Sequence, residues 1–179
     1  MNKIPVTQNT RKMTFANIIL LATATTTALI AGLYYAWSCS VITGLGKLPD
    51  AGYLAAMQSL NREILNPLFY MSFMGALLLL PVCTWVHYSK PVSLRFYLLL
   101  AATLLYVFGS FGVTVAGNVP LNDALDSFNI HSASAEEMAR FRVQFEMPWN
   151  RLHSIRTIAN FIALILVLLA CMFTSSHAD

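Results

Sequence analysis

Trp149, His153, Arg156 and Asn160 stand at i, i+4, i+7 and i+11, a spacing that puts all four on one helix face. The segment that carries most of them, residues 152–173, is otherwise apolar. The stripe therefore brings a titratable imidazole, a guanidinium and an amide into a helix suited to hydrocarbon. At about 1.5 Å per residue, Arg156 lies about one turn inside that segment and Asn160 about two. An ionisable group at such depth is costly and normally faces a partner or a wet cavity. Arg156 needs a carboxylate, a carbonyl or an anionic ligand, and Glu63, Asp123, Asp126 and Glu146 are the acids at the same end. The plainer reading has Arg156 snorkelling to the headgroups and Asn160 bonding a neighbouring helix. The four-residue stripe as a unit favours a cavity.

Other polar and aromatic groups converge on that end. The first apolar segment brings Tyr34, Trp37 and Ser38, and the second opens with Asn66-Pro67. The third runs into Gly117-Asn118-Val119-Pro120-Leu121-Asn122, where Gly117 and Pro120 are expected to stop the helix and present Asn118 and Asn122. Each aromatic alone reads as well as part of an interfacial belt, and the two amides as caps. Convergence is what argues for a site. His87 falls at the opposite end, His131 in a loop and His177 near the C-terminus. That placement disfavours a bis-histidine haem, which needs two histidines at one depth. No two-carboxylate and histidine set suggests di-iron. Cys39, Cys83 and Cys171 are far apart, without a CxxC, and read as buried small apolar residues. Neither a metal nor a cofactor is expected.

The elements that must hold these groups follow from composition. The 179 residues are 57% hydrophobic and 11% charged, against about 45–50% and 25% in soluble domains. A soluble enzyme, a disordered chain and a nucleic-acid binder are excluded. Four stretches satisfy the requirement of about 20 apolar residues for a span: residues 15–45, 67–86, 94–116 and 152–173. A signal peptide at the start is disfavoured because the apolar stretch is about twice the usual length. Residues 51–65 and 135–146 read as amphipathic helices in the two longer connections. In the first, Asp50 is the expected cap, and Tyr53, Met57, Leu60 and Ile64 form one stripe. In the second, Ser134 and Glu137 make a capping box, with Met138, Phe141 and Phe145 in line, and Pro148 is expected to end the helix before the fourth span. Both helices could lie at the interface or form a lid. Ala24, Ala28, Gly32, Ala36 and Ser40 recur every fourth residue, as do Ser72 and Ala76, and Gly112 and Ala116; such small residues let helices approach. The expectation is an all-α, four-helix transmembrane bundle forming a single domain. Lys3, Arg11 and Lys12 place both termini in the cytoplasm by the positive-inside rule. Seven of the eight acids then fall on the outer side.

Five segments in order resemble the anthrone oxygenase-like family of small membrane proteins. They are Trp37-Ser38-x-x-Val41-x-x-Gly44-Leu45, Met57-Gln58-x-x-Asn61, Asn66-Pro67-x-Phe69, Gly117-Asn118-Val119-Pro120-Leu121-Asn122 and Trp149-Asn150-x-x-His153-x-x-Arg156-Thr157. The resemblance spans roughly residues 15–169. It implies a bacterial inner-membrane protein that oxidises a lipophilic aromatic or quinol with molecular oxygen, as fungal members oxidise an anthrone to an anthraquinone. It also implies that His153 acts as general base, Arg156 holds an enolate oxygen, and Asn118 or Asn122 polarises a carbonyl. Tyr34, Trp37 and Trp149 would stack on the ring, with Ser38, Asn61, Asn66 and Asn160 completing the binding surface. The expected partners are the bilayer, a hydrophobic small molecule and a second copy of the chain. The alternative is a non-catalytic module that binds a lipid, quinone or protein. A transporter would need broken helices and inverted repeats that this chain lacks.

Overall fold

The computed structural model describes residues 13–173. The basic cluster Lys3, Arg11 and Lys12, on which the orientation rests, lies outside the described residues, as do His177 and Asp179. Within them the chain forms five helices: α1 (Phe15–Leu45), α2 (Asp50–Glu63), α3 (Pro67–Val86), α4 (Leu94–Asp126) and α5 (Ala135–Met172). Among the described residues there is no strand. All but α2 are long and apolar enough to cross a bilayer. The protein is an all-helical integral membrane protein.

The helix starts are chemically specified. Thr14, Asn66 and Ser93 accept from the backbone N–H groups of Asn17, Phe69 and Phe96, satisfying donors that a helix leaves free. Ser134 and Glu137 bond reciprocally as expected. Asp50 does not cap α2. Pro49 occupies that position, and Asp50 is the first helical residue, its carboxylate held by Arg142 at 3.0 Å.

Two helices run on where the sequence suggested a stop. α4 continues through Gly117 and Pro120 to Asp126. A π-helical turn at Thr114–Asn118 precedes Pro120, which then sits in the first turn of the next α-helical segment, where a missing N–H matters least. α5 is likewise one 38-residue helix with Pro148 inside it. The proline removes one backbone bond, but Phe145 and Trp149 are both buried against α2 and hold the two sides in line.

The packing stripes also differ from expectation. α1 meets its neighbours through Leu20, Thr23, Thr27, Ile30, Ala31 and Tyr34. Ala28, Gly32, Ala36 and Ser40 face outward, and a Cβ at Gly32 would meet nothing within 4 Å. The threonines succeed because their hydroxyls bond carbonyls in their own helix, Thr23 to Ile19 and Thr27 to Thr23, both at 2.7 Å, leaving methyl groups for contact. On α3, Ser72 and Ala76 are buried as expected. On α4, Ala116 is exposed, and the close approach to α5 is made by Gly109 and Gly117. Cys83 is buried, whereas Cys39 and Cys171 are exposed.

The bundle core contains Leu80, Leu99, Tyr106, Ala163 and Val167, and Tyr106 donates to the carbonyl of Phe73 at 2.8 Å. A second cluster, with Tyr53, Leu54, Met57, Leu125, Phe145 and Trp149, seats α2 on α4 and α5. We term that end the capped end. Arg142 pins it. Its guanidinium donates to Glu146, Asp50 and the carbonyls of Leu48 and Gly46, and lies 4.4 Å from the Tyr53 ring centre. Burial, reinforced by Glu146, pushes the Tyr53 phenol far above its usual range, so the ring stays neutral. Gln58 adds bonds to the carbonyls of Leu125 and Phe128. Loss of Arg142 removes bonds to two carbonyls and two carboxylates that water can partly replace, so Arg142→Ala is expected to loosen this end by about 0.5–1.5 kcal/mol. Hydrogen exchange would show it as selective deprotection of α2, with the α3 and α4 cores unchanged.

Candidate functional site

Immediately below the cap is a cavity of about 240 Å³. Leu33, Tyr34 and Trp37 of α1 form one wall, and Phe69, Tyr70, Phe73 and Met74 of α3 another. α4 adds Phe111, Thr114, Val115, Val119 and Asn122, and α5 adds Trp149, His153 and Arg156. Asn61 closes the top from α2. That volume is far more than one water needs, and the lining is mostly aromatic and aliphatic, as small-molecule sites are.

The polar stripe of α5 is buried as a unit. Trp149 stacks on His153, with centroids 5.2 Å apart and planes at 8°. Tyr34 meets the imidazole edge-on at 5.6 Å. The Trp149 indole N–H donates to Asn122 Oδ1 at 2.7 Å, which fixes the ring. Arg156 donates to His153 Nδ1 from Nε at 3.3 Å and lies 3.2 Å from it through Nη2. Its Nη1 donates to Thr114 Oγ1 at 3.3 Å.

This arrangement settles the tautomer of His153 by elimination. A guanidinium only donates, so Nδ1 must accept and the neutral ring carries its proton on Nε2. That N–H points to Ser38 Oγ at 2.9 Å, with Thr157 Oγ1 at 3.3 Å. Ser38 in turn donates to the carbonyl of Tyr34 at 2.9 Å.

Among the described residues, no carboxylate lies within 4.0 Å of Arg156. Of the four acids expected to serve it, Asp126 pairs with Arg62, and Glu146 is taken by Arg142 together with Asp50. The guanidinium instead lies over two aromatic rings, 4.7 Å from Tyr34 and 5.1 Å from Trp149. It is a cation on a cavity wall with no ion-pair partner among the described residues. Three further polar atoms on that wall are buried with no hydrogen-bond partner among the described residues: Tyr34 Oη, Trp37 Nε1 and Asn61 Nδ2. All three can donate.

Of the residues singled out from sequence, Tyr34, Trp37, Asn61, Asn122, Trp149, His153 and Arg156 meet at the cavity. Ser38 stands behind His153, and Asn66 caps α3. Asn118 is buried between helices with Nδ2 on the Trp149 carbonyl, and Asn160 reaches Ser110 Oγ at 3.5 Å. Thr114 and the aromatic floor of Phe69, Phe73 and Phe111 were missed. Phe69 and Phe73 lie at i, i+4 and stack at 5.0 Å, a spacing that could have flagged them. Thr114 carries no comparable signal, because π-helical turns at Leu105–Gly112 and Thr114–Asn118 shift the register of α4. A third, at Trp37–Val41, flanks the same cavity from α1.

Fold and site together define a small four-span membrane protein with a donor-lined aromatic cavity near one end. A family model described as anthrone oxygenase matches residues 67–166, more than half of the chain. The chain belongs to the anthrone oxygenase family. No curated protein and no solved structure matches it.

Proposed function

We propose that the cavity takes a flat, lipophilic aromatic bearing oxygen acceptors, of anthrone or quinol type, and that the protein oxidises it with molecular oxygen. The observation that carries this reading is the set of unpartnered donors, Tyr34, Trp37 and Asn61, beside the uncompensated Arg156 in an aromatic pocket. Such a wall is complementary to an enolate or phenolate oxygen. Family membership supports the reaction class.

The hydrogen bonds suggest an order of events. A ligand carbonyl that draws the Arg156 N–H groups away frees the Nδ1 lone pair of His153. Nδ1 then removes a proton from the methylene carbon beside the ring, and Arg156 holds the enolate oxygen that forms. The Nε2–H bond to Ser38 keeps the imidazolium oriented. The electron-rich carbanion reacts with oxygen. One oxygen atom becomes the new carbonyl and the other leaves as water with the two methylene hydrogens. Asn122 orients Trp149 rather than the substrate.

We further place this protein in a bacterial inner membrane with the capped end outward.

One observation favours a second reading, a module that binds the same ligand without turnover. Both nitrogens of His153 are already bonded within the protein. His153→Gln separates the two, since Gln keeps a donor and an acceptor but cannot take up a proton at neutral pH. Catalysis predicts that anthrone oxidation, followed as oxygen uptake in vesicles, falls by about 10²–10⁴-fold while quinone binding persists. Unchanged oxidation by correctly inserted His153→Gln or His153→Ala protein would sink the oxygenase reading.

A further inference from the structure

α3 and α4 do not pack along their whole length. Their contacts concentrate on the Leu94–Leu104 part of α4 and thin out along Leu105–Gly112. The two helices therefore splay toward the capped end, and the cavity lies in the splay. Its rim is apolar and open: Tyr70 is 45% and Met74 36% exposed on α3, Val115 is 49% and Val119 39% exposed on α4. Leu65, at 61%, completes the rim where α2 joins α3. Facing them inside are the buried Phe73 and Thr114.

The capped end, by contrast, is sealed. α2 is bound to α5 through Arg142 and to α4 and its following turn through Gln58. Leu54 and Met57 of α2 are buried together with Leu125 and Trp149, and Asn61 of α2 lines the cavity from this end. A ligand arriving from water along the bundle axis would have to break that cluster. A ligand dissolved in the bilayer meets only uncharged side chains, Tyr70, Met74, Val115 and Val119, at the edge of the splay.

We infer that the ligand reaches the cavity sideways from the bilayer, through a portal between α3 and α4 whose rim is Tyr70, Met74, Val115 and Val119. This rests on the cavity reading above and deepens it: the substrate class is a membrane-dissolved aromatic rather than one delivered from the aqueous phase. Rim residues control passage, whereas Arg156 and the donor wall control retention. Polar conjugates such as glycosides, which do not partition into hydrocarbon, are excluded by the rim however well their rings would stack.

The test uses 1,8-dihydroxyanthraquinone in lipid vesicles, with quenching of Trp37 and Trp149 followed by stopped flow in a Trp85→Phe background. Narrowing the rim with Met74→Phe and Val115→Phe is expected to slow both association and dissociation by about tenfold, within the 1–3 decades over which variants of one site shift association. Val119→Phe supplies a second, independent narrowing. A lesion of the cavity wall would speed dissociation instead. Ala55→Phe, on the exposed face of α2, is expected to leave both rates alone. Unchanged rates in both rim variants, or slowing by Ala55→Phe, would overturn lateral access. No quenching in the parent protein would overturn the ligand reading itself, and this inference with it.

Discussion

Membranes carrying Arg156→Leu are expected to oxidise an anthrone about 10²–10³-fold more slowly than the parent, the loss seen when a single preorganised oxyanion donor is removed. The guanidinium has five N–H groups. Three face His153 and Thr114, and two remain for a ligand. Those donors act in a buried, aromatic-lined site, where electrostatic interactions are stronger than in bulk water. The fold should survive the change. Removing one member of a buried ion pair is ordinarily destabilising because the other is stranded, but Arg156 has no carboxylate to strand. Thermal unfolding in detergent should therefore fall only modestly, by the cost of about 1 kcal/mol for leaving the buried His153 Nδ1 without its donor, while activity collapses. Arg156→Lys keeps the charge and loses the planar fork, so an intermediate loss, about tenfold, is expected. Parent-like oxidation by Arg156→Leu would show that the cation serves some purpose other than holding an oxyanion.

The largest stability effect should come from Gly109. A Cβ built there would lie 2.6 Å from the Cβ of Ala159 across the α4–α5 contact. Neither atom belongs to a flexible side-chain end, so the two helix backbones must separate. Gly109→Ala is expected to cost about 1–3 kcal/mol, in line with overpacking of a tight core. The paired change Gly109→Ala with Ala159→Gly moves the methyl group to the other helix and should recover nearly all of the loss, because the cost of about 1 kcal/mol for a helical glycine only changes helix. Gly32→Ala serves as the contrast. Nothing lies within 4 Å of that position, so the gain in helix propensity should raise stability by about 0.5–1 kcal/mol. A Gly109→Ala protein that melts with the parent would mean that α4 and α5 do not approach as described.

Gly109 shows how spacing can mislead. The period-four run on α1 looked like a packing face, and Gly112 with Ala116 looked like its counterpart on α4. A small residue permits close approach but does not demand it, and which face turns inward depends on neighbouring helices. On α1 the inward face carries threonines and Ile30, which sequence alone would have assigned to lipid as readily. On α4 the π-helical turns insert extra residues per turn, so the glycines that meet α5 fall out of the expected register. Pro120 and Pro148 misled similarly. Each removes a backbone donor, a local cost, while Phe145 and Trp149 about Pro148 are held by tertiary burial.

The stripe on α5 was legible because both its causes are local. A regular helix sets which residues share a face, and the expense of a polar group in hydrocarbon makes four of them on one face informative. The four spans, the reciprocal Ser134–Glu137 cap and the gathering of polar groups at one end were legible for the same reason. What each polar group bonds to was not. Asn118 and Asn122 are four residues apart in one motif, yet one is buried between helices and the other lines the cavity. Arg156 was expected to find an acid, but two of the four candidates, Asp126 and Glu146, pair with Arg62 and Arg142 instead. Composition and periodicity thus determined a membrane bundle with a polar stripe on α5 near one end. The free cation, the His153 tautomer and the splay between α3 and α4 were decided by tertiary structure, because hydrogen-bond partners and gaps depend on distances between helices that no single helix encodes.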